Sequence, residues 1–207
     1  MGDYDIWLNA NFDNEIVESW VELRRGRYSL SATKARDALK EMNVKPPFVS
    51  SAYKLAYPLH YVEEINTAAE KLNLSPFYLI SIIKEESHFD TEAKSVTNAM
   101  GLMQIMPDTA NYVASKLQLP LYSLSNLNDV KTNIYIGSNY INYLNEKFKN
   151  YILVTAAYNA GEGTVSRWLK TYSLSDYDEF IENIPYEETK NYVRRVFRTY
   201  HLYNKIY

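Results

Sequence analysis

Residues 75–89 read Ser75-Pro76-Phe77-Tyr78-Leu79-Ile80-Ser81-Ile82-Ile83-Lys84-Glu85-Glu86-Ser87-His88-Phe89. Ser75 followed by Pro76 is a helix start. A serine hydroxyl can accept from an early N–H, and proline's fixed φ suits the first helical position, where its missing donor costs nothing. At about 100° per residue, Leu79, Ile82, Ile83 and Glu86 fall on one arc. Glu86 lies near the middle of that apolar arc, with Glu85 and Lys84 toward its flanks. A carboxylate among aliphatic side chains is expensive to ionise, so its pKa should rise. A raised carboxyl pKa is what a general acid needs near neutral pH. A second reading stays open at this point: Glu86 caps a neighbouring helix or pairs with an arginine, since buried ion pairs occupy such arcs too. The spacing selects Glu86 over Glu85 in either case.

Outward from this helix the periodicity stays helical. Upstream, Val62, Ile65, Ala69 and Leu72 form one stripe that Asn73 ends. Before it, Asp13 is placed to cap a helix carrying Ile16, Val17, Trp20, Val21 and Leu23 and stopping at Gly26. Ser31 is placed to open a second helix, closed by Asn43 and Pro46-Pro47. A short piece, residues 48–56, ends at Tyr57-Pro58, because the residue before proline is pushed out of the helical region. Downstream, residues 90–107 are polar and punctuated by Asn98 and Gly101, which predicts a loop with short irregular strands. Asp108 and Asp129 are placed to cap the next two helices. Residues 152–159 form another that Gly161 terminates, Thr164 to Leu169 a short one, and the residues after Pro185 a final basic-aromatic helix to about Tyr203. The expected fold is mainly α. Residues 1–54 read as a small helical extension and residues 55–207 as the domain that carries chemistry.

Composition narrows the function classes. The 207 residues carry 22 Lys+Arg against 25 Asp+Glu, a net charge of −3, which is not the basic footprint of a dedicated nucleic-acid binder. Hydrophobic residues make up 46% and charged residues 23%, an ordinary globular balance that excludes intrinsic disorder. No apolar run approaches the ~20 residues that span a bilayer. Cysteine is absent, so disulfides, thiol catalysis and thiolate zinc sites are excluded. His60, His88 and His201 form no pair at metal-ligand spacing, and neither a metal nor a cofactor is expected. Twenty tyrosines suit sugar rings, offering a flat apolar face and a hydroxyl; A+T-rich coding, which raises Asn, Lys and Ile along with Tyr, is the favoured account of most of them.

Two further stretches stand out. Gly101-Leu102-Met103-Gln104-Ile105-Met106-Pro107 is poor material for a regular element: methionine is deformable against apolar faces, and Gln104 offers both donor and acceptor. Packing with Gln104 bonded to backbone explains it as well. In Ala156-Ala157-Tyr158-Asn159-Ala160-Gly161 the small residues permit close approach, and Asn159 sits where a helix should end. Ser87 lacks any Gly-x-Ser-x-Gly setting, His88 reads as a surface residue and Phe89 as core.

In this order, Glu86-Ser87-His88-Phe89, the Gly101–Pro107 stretch with Thr109-Ala110, and Ala157-Tyr158-Asn159-Ala160-Gly161 resemble the successive motifs of soluble lytic transglycosylases. These are murein-cleaving members of the goose-type lysozyme superfamily. Tyr57-Pro58-Leu59 with Tyr61 is similar to the opening of that catalytic domain, and Ile184-Pro185-Tyr186-Glu187-Glu188-Thr189-Lys190-Asn191-Tyr192-Val193 to its closing motif. The resemblance covers about residues 55–200. Asn98 stands where glycine is common, but asparagine tolerates the left-handed conformation. Tyr186 and Lys190 replace the usual Phe and Arg, which weakens a carboxylate contact.

The resemblance implies a lysozyme-like (goose-type) α+β fold with very little strand, and peptidoglycan glycan strands as partner. It implies cleavage of the β-1,4 bond between N-acetylmuramic acid (MurNAc) and N-acetylglucosamine (GlcNAc) by ring closure to 1,6-anhydro-MurNAc. Glu86 would act first as acid and then as base. By the same resemblance Ser95 and Gln104 contact the sugars and Met103 lies against a ring face. Asn159 and Tyr192 position the N-acetyl group or the acid, Glu188 lines the cleft, and Tyr158 is stacking surface or core. Two alternatives are a hydrolytic muramidase, for which Glu92 is the local candidate base, and a groove-binding module without turnover. A phage-tail or secretion-apparatus setting is compatible with the same chemistry. The substrate places the chain in the cell envelope, as a monomer. Residues 1–15 have no basic n-region or apolar h-region, so a truncated chain, its export signal removed, is expected.

Overall fold

The computed structural model describes residues 14–41, 51–119, 127–171 and 176–207. Among these residues three helices come first: α1 (Asn14–Arg24), α2 (Tyr28–Glu41) and α3 (Ser51–Ala56). Eight follow: α4 (Val62–Leu72), α5 (Pro76–Ser87), α6 (Pro107–Leu117), α7 (Val130–Phe148), α8 (Tyr151–Ala160), α9 (Glu162–Thr171), α10 (Tyr177–Asn183) and α11 (Glu187–Ile206). Among the described residues the β-structure consists of isolated antiparallel bridges, Lys94 with Met100 and Met100 with Ile105. The mainly α expectation and the irregular short-strand loop both hold.

Helix ends follow their local chemistry. Ser75 accepts from the Tyr78 N–H to start α5 and Asp129 from that of Thr132 to start α7. Asn73 closes α4 in the left-handed region, and Gly161, at φ 85, closes α8. Four expectations differ. Helix α2 begins at Tyr28, three residues before Ser31; Ser31 is buried and its carbonyl accepts from the Ser19 hydroxyl. The cap of α6 is Met106 with Pro107 at the first position, which puts Asp108 inside the first turn, where it complements the helix dipole instead of capping. Val62 is exposed and not part of its stripe. Helix α10, capped by Asp176, was not expected. Asp13 and Asn43 lie outside the described residues.

Burial falls into two clusters. One, around Ile16, Ala35, Ala38, Leu39 and Leu55, belongs to α1–α3. The other runs from Ile65 to Tyr203 and holds α5 at its centre, with Leu79, Ile82 and Ile83 fully buried. Tyr57 packs against both, and the hydroxyl of Tyr203 on α11 donates to the Pro58 carbonyl at 2.9 Å. A helix buried on nearly all sides must satisfy its polar groups internally. On α5, Tyr78 stacks on Tyr151 at 4.2 Å and shares a 2.8 Å hydrogen bond with Thr155. Buried tyrosines here supply both packing and hydrogen bonds.

Candidate active site

Glu86 lies in the last turn of α5. Its Oε1 accepts a 2.6 Å hydrogen bond from the hydroxyl of Tyr192, 106 residues away on α11. Burial is the main influence on this carboxyl. The Tyr192 hydrogen bond and the charge of Arg195 oppose it, Glu85 and Glu188 reinforce it, and the pKa is pushed up to about 7. The arginine-paired alternative therefore falls on the neighbouring residue. Glu85 meets Lys84, Arg195 and Thr199.

The hydroxyl of Tyr192 stabilises the ionised form of Glu86, so removing it should raise the pKa. In Tyr192→Phe the Glu86 midpoint, followed by NMR of a carbon-labelled carboxyl, is expected to rise by about one pH unit, since a hydrogen bond to a charged group is worth roughly 1.5–3 kcal/mol. A midpoint that stays or falls would show that the hydroxyl does not serve the carboxylate.

The loop that follows α5 is held by its own backbone and side chains. Ser95 accepts from the N–H groups of Thr97 and Ala99, and Asn98 sits at φ 65, the left-handed conformation expected there. Gln104 donates through Nε2 to the carbonyls of Ala93 and Gly101, each at 3.0 Å. Gly101 has φ 72, and a Cβ there would strike Asn133 and the Leu127 carbonyl.

Met103 is a correction. It is fully buried, with its thioether in the slot left by Gly137 on α7, so its side chain offers no surface to a sugar. Its backbone carbonyl accepts from the Tyr158 hydroxyl at 2.7 Å. That ties α8 to the loop and gives Tyr158 a structural bond beside Glu86, whose charge helps raise its pKa. Asn159 accepts from Thr189 of α11 at 2.7 Å. Glu188 is exposed, one turn before Tyr192. Glu92 is exposed and accepts from Asn128 at 2.9 Å. His88 is a half-buried left-handed cap of α5, its pKa lowered by burial to about 4, and not a free surface group.

Sequence reasoning missed Asn133. Its fully buried amide accepts from the Met103 N–H at 2.8 Å and donates to the Met100 and Leu127 carbonyls at 2.8 and 2.7 Å. The signal was available: Asn133 lies on the same helical arc as Gly137 and Ile141, a polar residue on a core face, as Glu86 is.

The chain is similar to known proteins over most of its length. Residues 63–181 match the family described as the transglycosylase SLT domain. A soluble lytic murein transglycosylase of Salmonella typhimurium is 33% identical over 90% of this chain and 30% of its own length. Lytic transglycosylase Slt of Pseudomonas aeruginosa, solved as an inactive mutant, superposes with a TM-score of 0.81 at 28% identity. That match covers 93% of this chain and 30% of that one. The 70-kDa soluble lytic transglycosylase of Escherichia coli gives 0.77 at 30% identity, over 90% and 29%. The chain thus spans about 30% of the length of these relatives. With Glu86, the Gly101–Pro107 stretch and Tyr158-Asn159 all inside the matched residues 63–181, the chain belongs to the SLT transglycosylase domain family.

Proposed function

We propose that this chain is the catalytic part of a peptidoglycan lytic transglycosylase, cleaving the β-1,4 MurNAc–GlcNAc bond without water. The observation that carries the reading is Glu86, a buried carboxyl with a pKa of about 7 held by the Tyr192 hydroxyl. At that pKa both protonation states are accessible near neutrality, as a group that gives and then takes a proton requires.

Protonated Glu86 donates to the glycosidic oxygen and GlcNAc leaves as its 4-hydroxyl. The substrate's N-acetyl carbonyl shields the positive charge at C1 of MurNAc. The Glu86 carboxylate then takes the proton of the C6 hydroxyl, O6 bonds to C1, and the acid is regenerated. An intramolecular hydroxyl held close has an effective concentration far above that of solution species, so a second carboxylate is dispensable. Asn159, with its carbonyl oxygen occupied by Thr189, has its amide donors left for the N-acetyl group. Ser95, Gln104 and Glu188 line the sugar path. Hydrolysis would need a base for water, and Glu92 is committed to Asn128 at the surface.

Murein lies outside the cytoplasmic membrane, so the cell envelope is the proposed place of action. Among the described residues no helix is long and apolar enough to cross a membrane. Glu86, Tyr192, Asn159 and Gln104 come from one chain, so a monomer suffices. Mass spectrometry of fragments released from purified murein tests the reading. Products lighter by one water, with 1,6-anhydro ends, are expected; reducing ends alone would make the chain a hydrolase, and no release a binding module.

A further inference from the structure

The buried charges behind Glu86 take no part in that proton transfer. The side chains of Glu85 and Lys84 are 7% and 6% exposed. One oxygen of Glu85 accepts from Lys84 Nζ at 2.7 Å and from the Thr199 hydroxyl at 2.6 Å; the other faces Arg195 Nε at 3.4 Å. Tyr192, Arg195 and Thr199 follow one another at spacings of three and four along α11, so they share a face. The face that receives Glu85 at Thr199 receives Glu86 at Tyr192. Arg195 lies between Tyr192 and Thr199 along α11 and its charge reaches Glu86 too, its guanidinium 5.9 Å from the centre of the Tyr192 ring. It is paired with Glu85.

We propose that Glu85 is a positioning residue for the acid: by engaging Arg195 and Lys84 it leaves Glu86 without a cationic partner and fixes the register of α5 on α11 that brings the Tyr192 hydroxyl to Glu86. The proposal rests on the acid–base reading of Glu86. A guanidinium on Glu86 would favour its ionised form and leave it unable to donate a proton at neutral pH. Removing one member of a buried ion pair leaves the other charge uncompensated, and here the next carboxylate is Glu86. The surroundings push the same way. Lys84 stands 5.3 Å from the centre of the Tyr57 ring, within electrostatic reach of Arg36 on α2 and Arg198 on α11. His88 faces Glu85, and Glu188 and Tyr158 face Glu86. Burial works against ionisation of Glu85, but Lys84 and the hydrogen bonds outweigh it and hold its pKa low. Glu85 thus stays a charged partner over the working range.

Glu85→Gln keeps the shape and removes the charge. The Glu86 midpoint can be read without turnover, from the pH dependence of the stability difference between Glu85→Gln and Glu85→Gln/Glu86→Gln. It is expected to drop by about one pH unit against the wild-type pair. The alkaline limb of lytic rate should move with it, a loss of about eightfold at pH 7.5 that shrinks to about twofold at pH 6 and is recovered at about pH 5. Adding Arg195→Met should move the midpoint back up, and Arg195→Met alone should carry it above wild type. Arg195 is 44% exposed, so that single variant decides the matter should Glu85→Gln fail to fold. An unmoved midpoint in Arg195→Met, or a rate loss in Glu85→Gln that is uniform across pH, overturns the proposal. Midpoints that move as stated while wild type releases no anhydro ends would uphold this role and reject the transglycosylase reading.

Discussion

Replacing Glu86 with glutamine is expected to lower murein cleavage by about 10³-fold or more while making the protein more stable at pH 8 and leaving its stability unchanged at pH 4. The two halves share one cause. The folded pKa of Glu86 is about 7 and its ordinary value 4.5. Below pH 4.5 the carboxyl is protonated both folded and unfolded, and burial carries no charge penalty. Between 4.5 and 7 the unfolded chain releases the proton and the folded one keeps it, so wild-type stability falls as pH rises. Above 7 the folded protein must hold a buried carboxylate, at a cost of about 3 kcal/mol. The glutamine introduced by Glu86→Gln never ionises, yet its amide oxygen still accepts from Tyr192. The melting temperature of the variant should therefore exceed wild type by several degrees at pH 8, with the gap closing toward pH 4. A gap equal at both pH values would mean that position 86 is not a buried, titrating acid. Activity lost without that gap would leave Glu86 as a contact residue only.

The raised pKa of Glu86 was legible because one helix carries its own evidence: a carboxylate at a position that the 3.6-residue period assigns to the core. The period could not show that Glu85 is buried too. Helix α5 is covered on nearly every side, so its flanks are interior as well, and only tertiary partners separate a titrating carboxyl from an ion pair. Glu86 received a hydroxyl, and Glu85 received Lys84, Thr199 and Arg195. The partners on α11 lie more than 100 residues away along the chain, beyond any local pattern. Tyr192 entered the site expectation through the motif resemblance alone. Met103 failed for a related reason. Its flexible side chain fits a sugar face and a core slot equally well on paper, and the deciding feature is the missing Cβ of Gly137 in another helix.

Asn133 carries the second large effect. Its amide joins α7 to both ends of the Met100–Met103 turn through two hydrogen bonds of 2.8 Å and to the Leu127 carbonyl through a third of 2.7 Å. Asn133→Ala takes the partner from the Met103 N–H and from the Leu127 carbonyl, while the Met100 carbonyl keeps the Ile105 N–H at 3.0 Å. Each group left unsatisfied and buried costs about 1–3 kcal/mol, and a cavity opens as well. A total of about 4 kcal/mol is a large share of the 5–15 kcal/mol that stabilises a typical domain. Chemical denaturation should show this loss at every pH, unlike the Glu86 effect. Asn133→Asp separates hydrogen bonding from size. The carboxylate fills the same space and can accept from Met103, but it cannot donate, and it would face the Met100 and Leu127 carbonyls with a negative charge. At pH 7 it should destabilise at least as much as alanine. At low pH, where the carboxyl regains one donor, part of that loss should return relative to alanine. An aspartate variant as stable as wild type at pH 7 would show that the amide serves only to fill space. The loop that carries Gln104 and the Met103 carbonyl beneath Tyr158 would then owe its shape to something else, with the left-handed Gly101 the first place to look.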